Sequence, residues 1–234
     1  KDQYTWKTPV PDYAAALDGN IKGLRVGILK EPMGAVHLDT EVREATLTAI
    51  DVIKELGASV HEVSIPMLYH AGPMGNPIYY VEGAANHHER LRKHMKEYDH
   101  NMRITLLAAS LLPAQTYYKA QRLREVFRAD VLKVMETVDV LVWPTGPTPA
   151  PPIIDKPGLG TKEEIKTDIL DRRIFTGLVN LAGVPGLSVP CGFSSSNLPI
   201  GLLISGRPME EDTVFHLGHA YEQATDWHNR RPPI

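Results

Sequence analysis

The chain has 234 residues, 43% of them hydrophobic, so it can bury a core of the size found in one large globular domain. The single cysteine excludes an internal disulfide, and the formal net charge of −3 excludes binding to nucleic acid or anionic membranes through overall charge. No apolar run reaches the roughly 18 residues of a membrane-spanning helix, so we expect a cytoplasmic protein without nucleic-acid or membrane partners. Because the sequence opens on a polar segment without methionine, we also expect a piece of a longer polypeptide.

The first predicted elements form a strand, a helix and a second strand. An apolar run at 23–29 predicts a buried strand, and alternation over 59–66 predicts another. Between them, apolar residues recur at helical spacing over 39–58, with Thr40 as the expected N-cap and Gly57 as the stop. The two strands of such a unit are usually parallel.

The middle of the chain, from Pro77 to residue 136, is predicted to be mostly helical. A strand follows at 139–145, which returns the chain to the sheet. Residues 144–160 form a proline- and glycine-rich loop, too rich in proline for a helix or a central strand. We expect residues 1–234 to act as one domain, and the length of this loop indicates either a functional role or a domain edge.

The last part of the chain alternates helices and strands. A helix is predicted from Asp171 to Ala182, strands at 187–192 and 199–206 with a turn at 194–197, and an amphipathic helix at 210–225. The turn contains three serines and an asparagine, which is the composition of an exposed hairpin turn.

Gly186 and Ser188 resemble the start of a G-x-S-x-G nucleophile elbow. A true elbow leads from a strand into a helix, whereas here a helix precedes the strand and Pro190 replaces the final glycine. We therefore interpret Ser188 as a serine on a buried strand, satisfied by a hydrogen bond, and Cys191 as a small hydrophobic residue. A nucleophilic Ser188 is the alternative.

A histidine cluster, His87, His88 and His94, lies on a predicted helix. His87 and His94 are two helical turns apart, and about 11 Å of axial rise is too far for two ligands of one ion. We expect no metal site and interpret the cluster as a charged helix face. A metal hydrolase built on these histidines is the alternative.

Several motifs resemble, in order, the C-terminal half of amidase-signature enzymes, the family that includes the tRNA-dependent amidotransferases. The motifs are "VPDYAAALDGNIKGLRVGIL", "DVLVWPTGPTPAPPI", "FTGLVNLAGVPGLSVPCGF" and "LPIGLLISGRPMEEDTVFHLGHAYEQATDWH". The resemblance implies an α/β fold with a mixed central β-sheet flanked by helices.

The resemblance also implies a function, the hydrolysis of a carboxylic amide to an acid and ammonia or an amine. In the family, a lysine and two serines act with a glycine-rich oxyanion hole, without a cofactor. The glycine- and serine-rich segment that carries them is absent from this sequence. We therefore expect no catalytic residue here, an inactive chain when alone, and two kinds of partner besides the amide: the missing N-terminal half, and further copies in a homo-oligomer. A noncatalytic scaffold or assembly module of the same fold is the alternative.

Three residues are implied by the resemblance to contact the substrate: Arg103, Thr145 and Thr176. From the residues alone, Arg103 at the start of an apolar helix either reaches into a cleft or caps a surface. Near Thr176 the amidotransferase has an acidic residue for the amino group of glutamine, whereas Arg172 and Arg173 occupy the matching positions here. This departure argues against glutamine as the substrate. Leu203 stands where the family usually has glutamine, which indicates that the surroundings of this position are more apolar here than in the family.

Overall fold

The computed structural model describes residues 7–153 and 172–231. Its strands are β1 (Arg25–Leu29), β2 (Ser59–Val63), β3 (Val140–Pro144), β4 (Gly186–Phe193) and β5 (Pro199–Gly206). Its helices are α1 (Lys30–Met33), α2 (Thr40–Glu55), α3 (Ala71–His94), α4 (His100–Ala109), α5 (Ala114–Met135), α6 (Arg173–Ala182) and α7 (Glu211–Gln223).

The five strands form one mixed sheet in the order β2-β1-β3-β5-β4. β1 pairs in parallel with β2 and β3, whereas β5 pairs antiparallel with β3 and β4. Parallel neighbours need a crossover, which α2 supplies between β1 and β2, while antiparallel neighbours can share a tight turn, as β4 and β5 do. The predicted α/β class, the mixed sheet and the parallel strand–helix–strand unit are confirmed.

The N-terminus of α2 differs from the prediction by one residue. Asp39, not Thr40, is the N-cap: its carboxylate accepts a hydrogen bond of 2.8 Å from the backbone N–H of Glu41. Aspartate and threonine both cap helices, so the residue types alone do not distinguish Asp39 from Thr40, whereas the backbone conformation does. Asp39 is extended with ψ of 142°, and the helix begins at Thr40. At the other end, Gly57 has the positive φ of 95° expected of a helix stop.

Helix α3 begins at Ala71, so the prediction that the helical region starts at Pro77 was wrong. Pro77 lies inside the helix, where the backbone N–H that a proline lacks leaves one hydrogen bond unmade. Ala71, Met74 and Ile78 are buried on the N-terminal part of α3. We attribute the helical continuation through Pro77 to this burial, because packing of an apolar face outweighs the loss of one hydrogen bond.

The hairpin between β4 and β5 has the predicted turn. The backbone N–H of Ser194 donates to Leu198 O at 2.9 Å, and that of Asn197 donates to Ser194 O at 2.9 Å. Asn197 has a φ of 58°, a left-handed conformation that asparagine tolerates. The predicted loop at 144–160 is described only as far as residue 153, and Asp171, the predicted start of the next helix, also lies outside the described residues.

Strand β3 is buried along its whole length and holds α6 against the sheet. The indole N–H of Trp143 donates to the backbone oxygen of Phe175 at 2.6 Å, which satisfies a polar group at the centre of the core. Helix α6 also packs on α3, and α3 in turn packs on α4 and α5. In the part of the chain described, no helix has the length and apolar character required to cross a membrane.

Candidate functional site

A cavity of about 450 Å³ lies at the carboxyl end of β3. Thr145 follows β3 directly, and its backbone N–H donates to Gly201 O on β5 at 2.8 Å. We call this space the Thr145 cavity. Its lining residues are Val42, Thr145, Gly146, Thr148, Ser188, Pro190, Pro199, Ile200 and Gly201. The described part of the proline-rich loop therefore borders a cavity.

Two hydroxyl groups meet inside the Thr145 cavity. Thr145 Oγ1 and Ser188 Oγ are 2.6 Å apart, a distance at which one donates to the other. They approach across β5, where a Cβ on Gly201 would lie 2.8 Å from each oxygen. Only glycine at that position leaves room for the pair.

Strand alternation directs Ser188 into the cavity. Its neighbours Leu187 and Val189 lie toward Gly218 of α7, on the opposite face of the strand, as the sequence predicted. Ser188 is hydrogen-bonded, as expected, but it is exposed rather than buried. The prediction of a buried strand is correct for Cys191 and wrong for Ser188, because a strand at the sheet edge beside a cavity has one open face.

The Thr145–Ser188 pair can bind a polar group, and the described lining of the cavity offers it no base that would activate a nucleophile. One hydroxyl is the donor within the pair, and the hydrogen of the other is left for a ligand. Among the described residues that line the cavity, none carries an imidazole, an amine or a carboxylate. Hydrogen bonding to an amide or a carbonyl is the chemistry that this arrangement supports.

The N-terminus of α2 holds two sides of the Thr145 cavity. The backbone N–H of Asp39 donates to Pro147 O at 2.9 Å, which fixes the proline-rich loop. Glu41 Oε1 accepts from the backbone N–H of Ser195 at 2.9 Å, which fixes the hairpin turn. The cavity wall is therefore set by contacts between segments more than a hundred residues apart in the chain.

The other two predicted substrate residues lie on helices that pack on α3. Arg103 is half-buried on α4, and Thr176 is half-buried on α6, where its backbone oxygen accepts from the side chain of Asn180 at 3.0 Å. Neither side chain is among the described residues lining the cavities beside α3. The structure therefore places Thr145 with Ser188, and it places Arg103 and Thr176 on different elements.

A second cavity, of about 380 Å³, lies between α3 and α6. We call it the Arg173 cavity, and its lining residues are Ala71, Gly75, Ile78, Tyr79, Glu82, Arg124, Arg173, Gly177, Asn180 and Leu181. The Arg173 guanidinium carbon lies 5.3 Å from the centre of the Tyr79 ring. In the sequence, Arg173 is distinguished only by its departure from the family pattern. The spacing of Arg173, Gly177, Asn180 and Leu181, all on one face of a predicted helix, was the signal that could have found this wall.

The remaining residues considered from the sequence have other surroundings. Cys191 is 2% exposed, and burial raises the pKa of its thiol to about 12, which removes the thiolate at neutral pH. His87 Nδ1 is paired with Tyr98 at 2.7 Å and His94 Nδ1 with Glu97 at 2.8 Å, so these histidines have separate partners. Within residues 7–153 and 172–231, no group of three or more histidine, cysteine or acidic side chains is placed to hold a metal ion. Leu203 is buried, in agreement with the apolar surrounding expected for it.

Comparison with known proteins gives a consistent set of relatives. The family model described as Amidase matches residues 1–215. The glutamyl-tRNA(Gln) amidotransferase A chain of Microcystis aeruginosa is 37% identical over 259 aligned positions, which cover 99% of this chain and 51% of that protein. An amidase of Pseudomonas putida is 37% identical over 226 positions, covering 97% of this chain and 48% of that protein. The chain spans about half the length of the curated relatives it matches.

Solved structures have the same fold. A 6-aminohexanoate cyclic dimer hydrolase superposes with a TM-score of 0.79 at 22% identity, covering 99% of this chain and 51% of that one. The corresponding glutamyl-tRNA(Gln) amidotransferase chain of Thermotoga maritima superposes with a TM-score of 0.73 at 25% identity, covering 95% of this chain and 47% of that one.

Proposed function

Because this chain belongs to the amidase family, we propose that it is the C-terminal part of an enzyme that hydrolyses a carboxylic amide to an acid and ammonia or an amine. The observation that carries the proposal is the match of the family model to residues 1–215. The chain would contribute part of the central sheet and one wall of the acyl pocket. We treat residues 1–234 as one domain of the longer enzyme, since the described core residues form one cluster that includes residues of α2, β3, α6 and α7.

The catalytic lysine and the two serines are proposed to come from an N-terminal half that precedes these residues. Two observations support this: the chain spans about half the length of its curated relatives, and the hydroxyl pair of the Thr145 cavity has no described base beside it. On this proposal the chain is inactive without the other half. A neutral lysine takes a proton through the bridging serine while the second serine attacks the amide carbonyl.

Arg103, Thr145 and Thr176 remain our proposed substrate contacts. Thr145 has the strongest support because its hydroxyl, paired with that of Ser188, lines a cavity of suitable polarity. Arg103 and Thr176 are supported by their family positions alone. Since Arg172 and Arg173 stand where an acidic residue would bind the amino group of glutamine, we favour an amide without that amino group over glutamine as the substrate.

The test is an assay of the enzyme that contains both halves. We expect ammonia release from hexanamide and aniline release from acetanilide, and the loss of both when the lysine of the N-terminal half is changed to alanine. Thr145→Val should raise KM about 3–10-fold through the loss of one hydrogen bond, whereas Thr145→Ser, the matched control, keeps the hydroxyl and the KM.

Two results would contradict the proposal. Hydrolysis that survives the lysine change would reject the mechanism. A well-folded protein of both halves that hydrolyses no amide would favour the alternative, a noncatalytic scaffold or assembly module of the same fold. Homo-oligomer formation is a separate expectation, which light scattering on the same preparation checks.

A further inference from the structure

The Arg173 cavity is a slot with both small or aliphatic residues and polar residues in its lining. Three residues without a long side chain, Ala71, Gly75 and Gly177, leave the space between α3 and α6, and Ile78 and Leu181 supply aliphatic walls. A Cβ on Gly177 would lie 2.9 Å from Ala71 Cβ, so the helices are as close as they can be at that point. The slot is therefore a built space of about 380 Å³, large enough for a short aliphatic chain.

One guanidinium group is fixed at this slot by two contacts. Arg173 Nε donates to the side-chain oxygen of Asn76 at 3.2 Å, and the guanidinium carbon lies 5.3 Å from the centre of the Tyr79 ring. Asn76 is only 7% exposed, so the acceptor that orients the fork is itself held in the core. An arginine held in this way loses little further freedom on binding a ligand.

The two terminal nitrogens of Arg173 have no acceptor in the described part of the chain. Across residues 7–153 and 172–231, no carboxylate lies within 4.0 Å of this guanidinium. The contacts of Arg173 are the bond from Nε to Asn76 and the stacking of the guanidinium group over the Tyr79 ring. Among the described residues none occupies the paired N–H groups that form bidentate bonds with carboxylates, and we assign them to a ligand.

The other charged groups of the slot have protein partners. Glu82 Oε1 accepts from the Tyr117 hydroxyl at 2.9 Å and from Gln121 at 3.4 Å. Arg124 Nε donates to the backbone oxygen of Leu181 at 2.8 Å. Two guanidinium groups and one carboxylate thus line the slot, which leaves an excess of positive charge beside apolar walls. Because a partly buried cation has lost part of its hydration, a bound anion stabilises it strongly.

We propose that Arg173 binds a carboxylate of the substrate, so that the enzyme prefers amides that carry a carboxylate, such as the monoamides of dicarboxylic acids. The guanidinium fork takes the carboxylate, and the aliphatic walls take the methylene chain between the carboxylate and the amide. This inference rests on the proposed amide hydrolysis and names its substrate class.

The experiment compares matched substrates with the enzyme that contains both halves. Succinamate, glutaramate and adipamate are paired with butanamide, pentanamide and hexanamide, which have the same chain lengths without the carboxylate. We expect a higher kcat/KM for one of the acids than for its neutral partner. Arg173→Met should lower kcat/KM for that acid about 10–100-fold, mainly through KM, and change that of the neutral amide less than about twofold. For the same acid, Arg173→Lys should have a kcat/KM between those of the unchanged enzyme and Arg173→Met.

The matched control is Arg90→Met. Arg90 also lies over a tyrosine, with its guanidinium carbon 6.0 Å from the centre of the Tyr98 ring, but it is on the exposed face of α3. Its change should leave both substrates unaffected. A similar loss in the Arg90 and Arg173 variants would overturn the assignment, because it would show a nonspecific charge effect.

The outcomes separate this inference from the proposed function. If neutral amides are hydrolysed and the acids are not preferred, or if Arg173→Met affects both classes equally, the carboxylate site is wrong and the amidase function stands. If no amide is hydrolysed, the proposed function fails. Calorimetric titration with glutarate then decides the site: binding that Arg173→Met abolishes supports a carboxylate site, and the absence of binding overturns it.

Discussion

The Cys191 thiol is unreactive at neutral pH because of its buried position on β4. It is 2% exposed, and burial raises the pKa of the thiol to about 12. The pKa of the neighbouring Tyr221 hydroxyl is raised as well, mainly by burial. A residue beside the candidate site thus has the packing of a hydrophobic core residue, although its side chain could in principle be a nucleophile.

The reactivity of Cys191 is a direct measure of this burial. Since the pKa rises from 9.0 to about 12, the thiolate fraction at pH 8 falls about a thousandfold. We expect an aromatic disulfide reagent to label the native protein at least that much more slowly than the protein in guanidinium chloride. Cys191→Ala should remove the labelling of residues 1–234, since these contain no other cysteine. Fast labelling of the native protein would contradict the buried position.

Helix α6 depends on a close approach to α3. A Cβ on Gly177 would lie 2.9 Å from Ala71 Cβ, which is shorter than an ordinary contact, so one of the two helices would have to shift. Gly75, on the facing side of α3, is in a looser place, where a Cβ would meet Leu181 Cδ2 at 3.6 Å. The two glycines therefore differ in packing although both lie within helices.

Substitution of these two glycines should affect stability differently. Gly177→Ala should lower the free energy of unfolding by about 1–2 kcal/mol, because overpacking outweighs the better helix propensity of alanine. Gly75→Ala should leave it unchanged or raise it by up to about 1 kcal/mol. Urea denaturation of the two-half enzyme measures both. Equal effects of the two substitutions would show that the α3–α6 contact is looser than described.

One ionic cluster joins three strands at the end of the sheet opposite the Thr145 cavity. Asp139, which precedes β3, accepts from Arg25 Nη2 at 2.7 Å and from Arg207 Nη2 at 3.2 Å. It also accepts from the backbone N–H of Arg25 at 2.9 Å. Arg25 begins β1 and Arg207 follows β5, so a single carboxylate connects the ends of three neighbouring strands.

This cluster predicts a loss of stability in acid. Hydrogen bonds from Arg25 lower the pKa of Asp139 from 3.8 to about 2, against the opposing effect of burial. The folded-state pKa is below the unfolded one, so the stabilisation is present above about pH 4 and is lost as pH falls toward about 2.

Asp139→Asn tests the cluster. It should lower the free energy of unfolding at pH 7 by about 1 kcal/mol, since solvent screens part of the interaction, and flatten its decline between about pH 4 and pH 2. Asp51→Asn is the control, because Asp51 is an exposed helix residue paired with Lys54, three positions on. Denaturation curves at a series of pH values measure both. If the free energy of unfolding of Asp139→Asn declined as steeply between about pH 4 and pH 2 as that of the unchanged protein, Asp139 would be ruled out as the cause of the decline.

The sequence by itself determined the order of the elements, the parallel unit, the hairpin and the family, because apolar periodicity, turn residues and motif spacing are local properties of the chain. It did not determine the Asp39 cap or the start of α3, where several residues satisfy the same local rule and packing selects one. The tertiary structure alone joined Thr145 to Ser188 across 43 positions and Arg173 to Asn76 across 97. Such contacts depend on which strands and helices become neighbours, and the free energy that selects them comes from burial of the whole core rather than from the residues that meet.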